Sequence, residues 1–465
     1  MTLAASCLYL LLVVLLGYAV VSAVLPGRRL PVITLAGLSA ALGAGAMALL
    51  LFWISLLGFA PSRPELALIA FVTLAVLAIQ YRLKRNARLE LWPADWRRCD
   101  FWIAVPAGLA ILAVGLVAGS ALSSPPVDWD AFAIWDLKAK VLALQPLHPA
   151  PPYFHDLTFS YSHLDYPLLV PFLTAGAYAA MGAIDDQSGK LVSVFLDSLL
   201  PLILYSGLRW KLGRLPSAFL SIVPLLLPVM FRLAGGGCAD LPLTLFYAGS
   251  ILFIARWLEL QKAEDLVLAI LFSSFATFTK NEGLILAMLN GGVMACFSLK
   301  RGRRRIRLGT LAFFAGWFAV SAAWLIWNRH LPRTHEDYGS KLLSPLIFTR
   351  LARLEQVLPT MLFRITDART WGLLWLLVAG TAALGWRAFA RPAVLALWIL
   401  LALHLAVYAL VYCVTPWDLD ELIAVSLDRL LWHTLPAVIF LAGWHWAEIE
   451  SGARSAKPLA IAPSA

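Results

Sequence analysis

The stretch KRGRRRIRLGTLAFFAGWFAVSAAWLIW, residues 300–327, decides the fold class of this chain. A basic cluster is followed without a break by the apolar segment 308–327, which contains no charged residue. A bilayer core about 30 Å thick needs roughly 20 such residues in a helix, because lipid offers no partner for free backbone N–H and C=O groups. The segment therefore predicts a transmembrane helix that starts at a basic surface.

Apolar runs of this kind recur along the whole chain. Hydrophobic residues make up 61% of it and charged residues only 14%, whereas a soluble domain carries roughly 25% charged residues. We predict an all-α polytopic membrane protein, one transmembrane domain over 1–465, with about thirteen spans. The predicted spans are 3–25, 32–57, 66–81, 101–122, 191–208, 218–231, 241–254, 266–279, 284–299, 308–327, 371–386, 393–411 and 430–446.

The basic residues indicate the orientation. They cluster between apolar runs, and cytoplasmic loops are enriched in Lys and Arg, so we place these clusters and the C-terminus inside and the N-terminus outside. The net charge of +10 is then a topology signal suited to anionic lipid headgroups, and it does not imply nucleic-acid binding. The clusters lie at 28–29, 82–98, 209–214, 256–262, 300–307 and 387–391.

Three soluble segments then fall on the outer face: 123–165, 328–370 and 412–429. The apolar stretch 166–183 cannot cross without reversing the later loops, so we predict a juxtamembrane helix that lies along the outer interface or re-enters. Within 328–370, leucines alternate with Arg350, Arg353 and Arg364. This pattern predicts an amphipathic interfacial helix, which most often seals a bundle and less often grips a lipid phosphate.

Asp128 and Asp130 follow the fourth span directly, after Pro125 and Pro126 have ended the helix. Two carboxylates at the mouth of a bundle suit a general base or a metal ligand. They also suit the start of a helix, where Asp accepts hydrogen bonds from free N–H groups. Both interpretations stay open.

The rest of this loop contains His148, His155 and His163, then Asp165 and Tyr166. Its spacing matches no defined metal site, and a solvated loop is the simpler interpretation. The five cysteines show no paired spacing and indicate small hydrophobic residues rather than disulfides. Asp165 and Tyr166 are candidate sugar- or acceptor-binding residues.

Later spans begin or end at charged residues. Three glycines lie between Arg232 and Asp240, and these two residues either pair with each other or face a ligand. Between two later apolar runs stand Lys280 and Glu282, which either form an ion pair or line a cavity. Arg429 enters the last span, and a guanidinium is a bidentate phosphate donor; a simple pair with Asp428 is the alternative. Asp197, inside a span, we interpret as structural.

At these residues the chain resembles the GT-C superfamily, in particular bacterial relatives of protein O-mannosyltransferases and lipid A aminoarabinose transferases. The resemblance rests on Asp130 with Asp128, on Asp165-Tyr-Pro, on Arg232 with Asp240, on Lys280 and, more loosely, on Arg429. The spans within 1–100 resemble additions to that pattern. Ala131 follows Asp130 where the family often has Glu, so the base is Asp130 or Asp128.

The resemblance implies inverting transfer of a sugar from a polyprenyl-phosphate donor to a hydroxyl of a glycan, lipid or protein. It implies a bacterial inner membrane and a site facing the periplasm or exterior. A carboxylate takes the acceptor proton, and Lys280, Arg232 and Arg429 stabilise the leaving phosphate. No cofactor is required, and a divalent metal is possible but unsupported. The rival predictions are a transporter or lipid flippase, which needs ionisable groups near mid-membrane, and a non-catalytic scaffold.

Overall fold

The chain folds into a bundle of helices. The computed structural model describes residues 2–90, 98–301, 304–333 and 338–455. Parts of two predicted basic clusters (91–97 and 302–303), part of the predicted outer loop (334–337) and the C-terminal tail from 456 lie outside the described residues.

The first half of the chain carries ten helices and two short strands. In chain order these are α1 Thr2–Val24, β1 Arg29–Pro31, α2 Val32–Leu56, α3 Arg63–Arg82, β2 Arg88–Glu90, α4 Ala104–Ser123, α5 Leu137–Leu144, α6 Leu169–Met181, α7 Asp186–Gly189, α8 Leu191–Leu208, α9 Arg214–Leu226 and α10 Pro228–Leu233. A π-helical turn, Ala131–Asp136, leads into α5, and 3-10 turns occupy Arg98–Ile103, Pro152–Phe154 and Leu157–Ser162.

In the second half, the regular elements of the described residues are all helices. Its helices are α11 Asp240–Leu260, α12 Ala263–Thr279, α13 Asn281–Arg301, α14 Arg304–Asn328, α15 Tyr338–Leu342, α16 Leu346–Arg350, α17 Leu354–Thr366, α18 Ala368–Trp371, α19 Leu374–Leu384, α20 Pro392–Val414, α21 Leu419–Trp432 and α22 Leu435–Ser455. Short 3-10 turns lie at Leu351–Arg353 and Trp386–Ala390.

The predicted all-α membrane fold is confirmed, whereas the count of thirteen spans is not. Within the described residues, nine helices are long and apolar enough to cross a membrane, and ten if α21 and α22, which meet at 43°, form one span. The other predicted spans correspond to the shorter helices α9, α12 and α19. The stretch 166–183 forms α6, a 13-residue helix that packs against α5, α1 and α2.

Helix α11 is the centre of the bundle. In the most apolar stretch of α11, 94% of the residues are buried inside the protein. The corresponding shares are 22% for α3 and 17% for the helix that contains α4. It packs against α12, α8, α20 and α13. Asp240, the first residue of α11, is therefore attached to the most enclosed of these spanning helices.

Small residues let α1 and α2 approach closely. A Cβ atom on Gly17 would overlap the carbonyl oxygen of Ser39, and one on Gly43 would overlap that of Val13. Such contacts are typical of membrane helices, which associate through backbone packing because lipid removes the hydrophobic drive between them. A parallel pairing of β1 with β2 ties the α1–α2 link to the α3–α4 link.

The amphipathic helix predicted within 328–370 is not one continuous element in the structure. The described part of this segment is divided into α15, α16, a 3-10 turn and α17. At the break, Arg350 donates to the carbonyl of Thr415 at 2.8 Å, and Arg353 donates to those of Cys413 and Thr415 at 3.2 and 3.1 Å. These arginines satisfy carbonyls at the end of α20.

Candidate active site

Asp240 is the hub of the candidate site. It is the first residue of α11 and is 1% exposed. Its Oδ2 accepts hydrogen bonds from Nε and Nη2 of Arg429 at 3.1 and 2.8 Å. Its Oδ1 accepts one from Lys280 Nζ at 2.8 Å. A buried carboxylate needs such partners, and both oxygens of Asp240 are occupied.

Arg429 extends the network to Asp130. Its Nη2 lies 2.6 Å from Asp130 Oδ2. Asp130 precedes the π-helical turn Ala131–Asp136 and does not cap it through its side chain. The helix-cap interpretation of Asp130 is therefore wrong, because the carboxylate is turned towards Arg429 instead. The predicted pairing of Arg429 with Asp428 alone is also wrong.

Lys280 occupies an extended break between α12 and α13, outside the spanning segments. Its ammonium lies 2.8 Å from Asp240 Oδ1 and 2.8 Å from Glu282 Oε1. Burial opposes the charge, but the carboxylates of Asp240 and Glu282 outweigh burial and raise the pKa of Lys280 above its ordinary value. Lys280 is therefore favoured as a cation although it is buried.

His433 joins the hub although the sequence did not single it out. Its Nε2 is 3.2 Å from Asp240 Oδ1, and its Nδ1 is 2.7 Å from the hydroxyl of Tyr408. If Tyr408 donates, the neutral imidazole presents an N–H to Asp240. The sequence feature that could have identified His433 is its spacing: it stands four residues, about one helical turn, after Arg429.

Arg232 does not pair with Asp240, so that alternative was wrong. It lies 3.1 Å from Asp428 Oδ2, and Arg364 approaches the same oxygen at 3.9 Å. The glycine turn between α10 and α11 separates Arg232 from Asp240, and Asp197 accepts a hydrogen bond from the backbone N–H of Gly235 at 2.8 Å. Asp197 thus has the structural role expected of it.

Three further predicted residues lie outside the ion-pair network. Asp128 is exposed and close to the glycine turn, where a Cβ on Gly236 would be 2.6 Å from Asp128 Oδ2. Asp165 is buried, and its Oδ2 lies 3.5 Å from Nη1 of Arg333. Tyr166 packs on Trp135, with ring centroids 5.7 Å apart.

Lys138 is a buried cation beside Asp165 that sequence reasoning did not select. Its side chain is fully enclosed, and its ammonium donates to the carbonyl of Ser162. Burial lowers the pKa of Lys138 to about 7, against the opposing influence of Asp165. The residue lies on α5, in the segment between the spans α4 and α8.

All members of the network meet at one end of the bundle. Asp130 follows the end of α4, Asp240 starts α11, and Lys280 lies between the end of α12 and the start of α13. Antiparallel neighbours alternate their ends, so these positions fall on the same side. Ion pairs of Lys211 and Arg391 with Glu259 lie at the other end of α11.

The arrangement provides fixed cations and, at Asp130, a carboxylate that is held through one oxygen. Within the described residues, the Oδ1 of Asp130 and the Nη1 of Arg429 have no partner in the network. Fixed charges act strongly in a poorly hydrated site. In the part of the chain that the structure describes, no three or more His, Cys, Asp or Glu side chains are grouped to hold a metal ion.

Comparison with known proteins identifies the fold. The model of the dolichyl-phosphate-mannose-protein mannosyltransferase family matches residues 165–327. This segment contains Asp165, Asp240 and Lys280, whereas Asp130 and Arg429 lie outside it. No curated protein sequence matches the chain.

Among solved structures, the chain is similar to ArnT from Cupriavidus metallidurans, determined with bound undecaprenyl phosphate. The TM-score is 0.51 and the sequence identity 16%, over 74% of this chain and 60% of ArnT. The chain thus spans less than two thirds of the length of ArnT. The predicted resemblance is confirmed at the level of fold, and this membrane protein has the GT-C architecture found in ArnT.

Proposed function

We propose that the chain is a membrane glycosyltransferase that moves a sugar from a polyprenyl-phosphate donor to an acceptor hydroxyl. Two findings support the donor class. The matched family is named for dolichyl-phosphate-mannose, and ArnT was determined with undecaprenyl phosphate. Both compounds are polyprenyl phosphates. The acceptor is a glycan, a lipid or a protein.

The observation that carries the proposal is the continuous network Asp130–Arg429–Asp240–Lys280. It joins the Asp130 carboxylate to two cations, the partly exposed Arg429 and the buried Lys280, at one end of the bundle. In the proposed reaction, the acceptor oxygen attacks the anomeric carbon while the bond from that carbon to the phosphate oxygen breaks. The acceptor proton passes to Asp130, and polyprenyl phosphate leaves. Attack opposite the leaving group inverts the anomeric centre.

The geometry favours Asp130 over Asp240 as the base. Asp240 accepts hydrogen bonds through both oxygens and is 1% exposed, so it cannot take a proton without losing its partners. Asp130 is held through Oδ2 alone among the described contacts. Asp240 is then a positioning residue, because it fixes Arg429 and Lys280. Asp128 is the substitute base if Asp130 serves only to hold Arg429.

Lys280 and Arg429 keep donors for a phosphate. An ammonium has three N–H groups and a guanidinium five. Lys280 uses two of its N–H groups on Asp240 and Glu282, and Nη1 of Arg429 lies outside the network. Arg232 stands beside this group through its pair with Asp428. These cations would stabilise the charge that develops on the departing phosphate.

We place the site on the non-cytoplasmic face of a bacterial inner membrane, towards the periplasm or exterior. The support is the distribution of charge. The predicted basic clusters at 209–214, 256–262 and 387–391 lie at the end of the bundle opposite the network, and basic loops remain cytoplasmic. Cysteine substitution at exposed Leu157, in a variant lacking native cysteines, followed by labelling of intact cells with an impermeant maleimide tests this orientation.

A transfer assay tests the function. Purified protein is incubated with radiolabelled polyprenyl-phosphate sugars and a membrane extract as the acceptor source. We expect Asp130→Asn to lose at least 100-fold in transfer, consistent with loss of a general base. Glu448→Gln, which alters a carboxylate at the opposite end of the bundle, should retain activity. If folded Asp130→Asn transfers sugar at the normal rate, Asp130 is not the general base. If the protein moves the intact donor across the membrane without transferring its sugar, it is a flippase and the proposed enzymatic function is wrong.

A further inference from the structure

The glycine turn, residues 234–239, lies between the two acidic elements of the candidate site. It joins α10 to α11, and Asp240 follows it directly as the first residue of α11. Another side of the turn faces the segment 128–131, which carries the proposed base. The path of this turn therefore contributes to the distance between the proposed base and Asp240.

Close packing accounts for the glycines of this turn. A Cβ atom on Gly236 would lie 2.6 Å from Oδ2 of Asp128, and one on Gly237 would lie 3.5 Å from the Cβ of Ala131. Gly235 and Gly237 also have positive φ angles of 70° and 99°, which residues with a side chain rarely adopt. The turn thus approaches the acidic segment, at Gly236, more closely than a residue with a Cβ atom would allow.

Asp197 holds this turn from α8. Its Oδ2 accepts a hydrogen bond from the backbone N–H of Gly235 at 2.8 Å. The residue is 5% exposed and lies within the candidate span Asp186–Leu208. An ionisable residue inside a membrane span is costly, rare and usually functional. Its presence indicates that the position of the turn matters to the protein.

Cys238 shows that the turn reaches the charged network. Burial raises the pKa of its thiol, the carboxylate of Asp240 raises it further, Arg429 opposes this effect, and Asp130 adds to it. All three charges act on the thiol because Cys238 lies beside the Asp130–Arg429–Asp240 bridge. Movement of the turn would therefore disturb the bridge directly.

We propose that Asp197 is a positioning residue of the transferase, which fixes the glycine turn through its bond to Gly235. The turn, held in this place, sets the separation of Asp130 from Asp240. The inference rests on the proposed function. Asp197 touches no substrate and acts through the turn, so its loss displaces the proposed base and lowers the rate of the chemical step. Binding of the donor changes less.

Variants of Asp197 separate the acceptor oxygen from the space it occupies. Asp197→Leu has the same branching and no acceptor, whereas Asp197→Asn keeps an oxygen that can accept from Gly235. In the transfer assay we expect the kcat of Asp197→Leu to fall at least tenfold, with the KM of the donor within threefold of wild type. Asp197→Asn should keep at least half of the wild-type kcat. Ser198→Ala, which loses a bond to the carbonyl of Phe195 on the same helix, is the matched control.

The reactivity of Cys238 tests the turn without turnover. The full-length protein is used with its other four cysteines replaced by alanine. A thiol reagent reacts with the thiolate, so the partly buried Cys238, whose pKa is raised, should react slowly. We expect Asp197→Leu to raise its labelling rate at least fivefold. Asp197→Asn and Ser198→Ala should leave the rate within twofold.

Melting temperatures in detergent show whether each variant is folded. If the leucine side chain prevents folding, Asp197→Ala removes the acceptor without added bulk and takes its place in both measurements. An unchanged labelling rate, or faster labelling with an unchanged kcat, overturns the inference. Equal losses of kcat in folded Asp197→Asn and Asp197→Leu also overturn it, because the charge and not the bond to Gly235 would then be required.

The two measurements separate this inference from the proposed function. If the wild-type protein transfers no sugar from any polyprenyl-phosphate donor, the proposed function fails and the catalytic role of Asp197 fails with it. The labelling rates still decide whether Asp197 holds the turn. If the wild-type protein transfers sugar and the Asp197 variants do so at the same rate, the positioning role alone is wrong.

Discussion

Asp130 and Asp240 share a single nitrogen of Arg429. Nη2 lies 2.6 Å from Asp130 Oδ2 and 2.8 Å from Asp240 Oδ2. The position of the proposed base thus depends on a buried carboxylate at the start of α11. Charge-assisted contacts of this kind hold a side chain in one geometry.

Replacement of Arg429 should separate these two carboxylates. In Arg429→Lys a single ammonium replaces the planar fork and cannot keep the paired contacts to Asp240 together with Asp130. We expect the rate of sugar transfer to fall about 100-fold, as for loss of one preorganised donor. Arg391→Lys, which alters a pair with Glu448, should keep its rate. Equal transfer rates in folded Arg429→Lys and Arg391→Lys would contradict the proposal that Arg429 holds Asp130 and Asp240 together for catalysis.

Lys280 should contribute strongly to stability. Its removal in Lys280→Met leaves Asp240 and Glu282 without a cation that lies 2.8 Å from each. Breaking a buried pair costs about 3–5 kcal/mol, so the melting temperature in detergent should fall clearly. Lys262→Met, at an exposed position, serves as the control.

A double-mutant cycle isolates the Lys280–Asp240 pair. Asp240→Asn combined with Lys280→Met should be less destabilised than the two single changes predict when added, with a coupling of about 0.5–3 kcal/mol. Additive effects would show that the two side chains do not stabilise each other.

Lys138 should make stability depend on pH. Burial lowers the pKa of its ammonium to about 7 in the folded protein, from about 10.4 in the unfolded chain. Between these values the unfolded chain binds a proton that the folded chain does not, so stability rises with pH. Below pH 7 both states are protonated and the full cost of the buried charge remains.

The comparison with Lys138→Met measures this effect. Relative to that variant, the wild-type protein should gain up to about 1.4 kcal/mol per pH unit above pH 7. Thermal unfolding in detergent from pH 6 to pH 9 gives the two curves. Parallel curves would mean that Lys138 titrates normally in the fold.

Because α1 and α2 are in close contact, we expect Gly→Ala substitutions there to lower stability more than the same substitution on α4. Gly17→Ala places a Cβ atom against the carbonyl of Ser39 and should cost about 1–3 kcal/mol through overpacking. Gly108→Ala, on α4, adds a Cβ atom with nothing within 4 Å and should leave the melting temperature unchanged. Similar losses in both variants would show that the close approach to Ser39 is not the cause, because helix propensity alone favours Ala over Gly.

The convergence of Asp130, Asp240, Lys280 and Arg429 could be predicted from the sequence, because each lies at an end of an apolar helix or at a bend. Neighbouring antiparallel helices bring such ends to the same side of the membrane. Hydrophobic run length likewise predicts the long helices. The spans predicted at α9, α12 and α19 are not confirmed, because these helices have 13, 17 and 11 residues and a span needs roughly 20.

The pairing within the site could not be predicted in the same way. The Arg232–Asp428 pair and the contact of His433 with Asp240 depend on how α10, α11 and α21 pack. Within 338–366, Arg350 and Arg353 bond to the carbonyl of Thr415 at the end of α20, which is more than 60 residues away in the sequence. These partners are distant in sequence, and periodicity carries no information about them.

The unequal burial of α4 and α11 has a consequence for the behaviour of the protein in lipid. Asp240 is attached to a helix that protein encloses, whereas Asp130 follows α4, which is only 17% buried. A helix that is too long for a thin bilayer tilts, and packing against neighbouring helices opposes the tilt, so α4 is held less firmly than α11. Reconstitution into vesicles of different acyl-chain length should therefore alter the gap between Asp130 and Arg429 while the contact of Lys280 with Asp240 stays fixed, and turnover should follow membrane thickness.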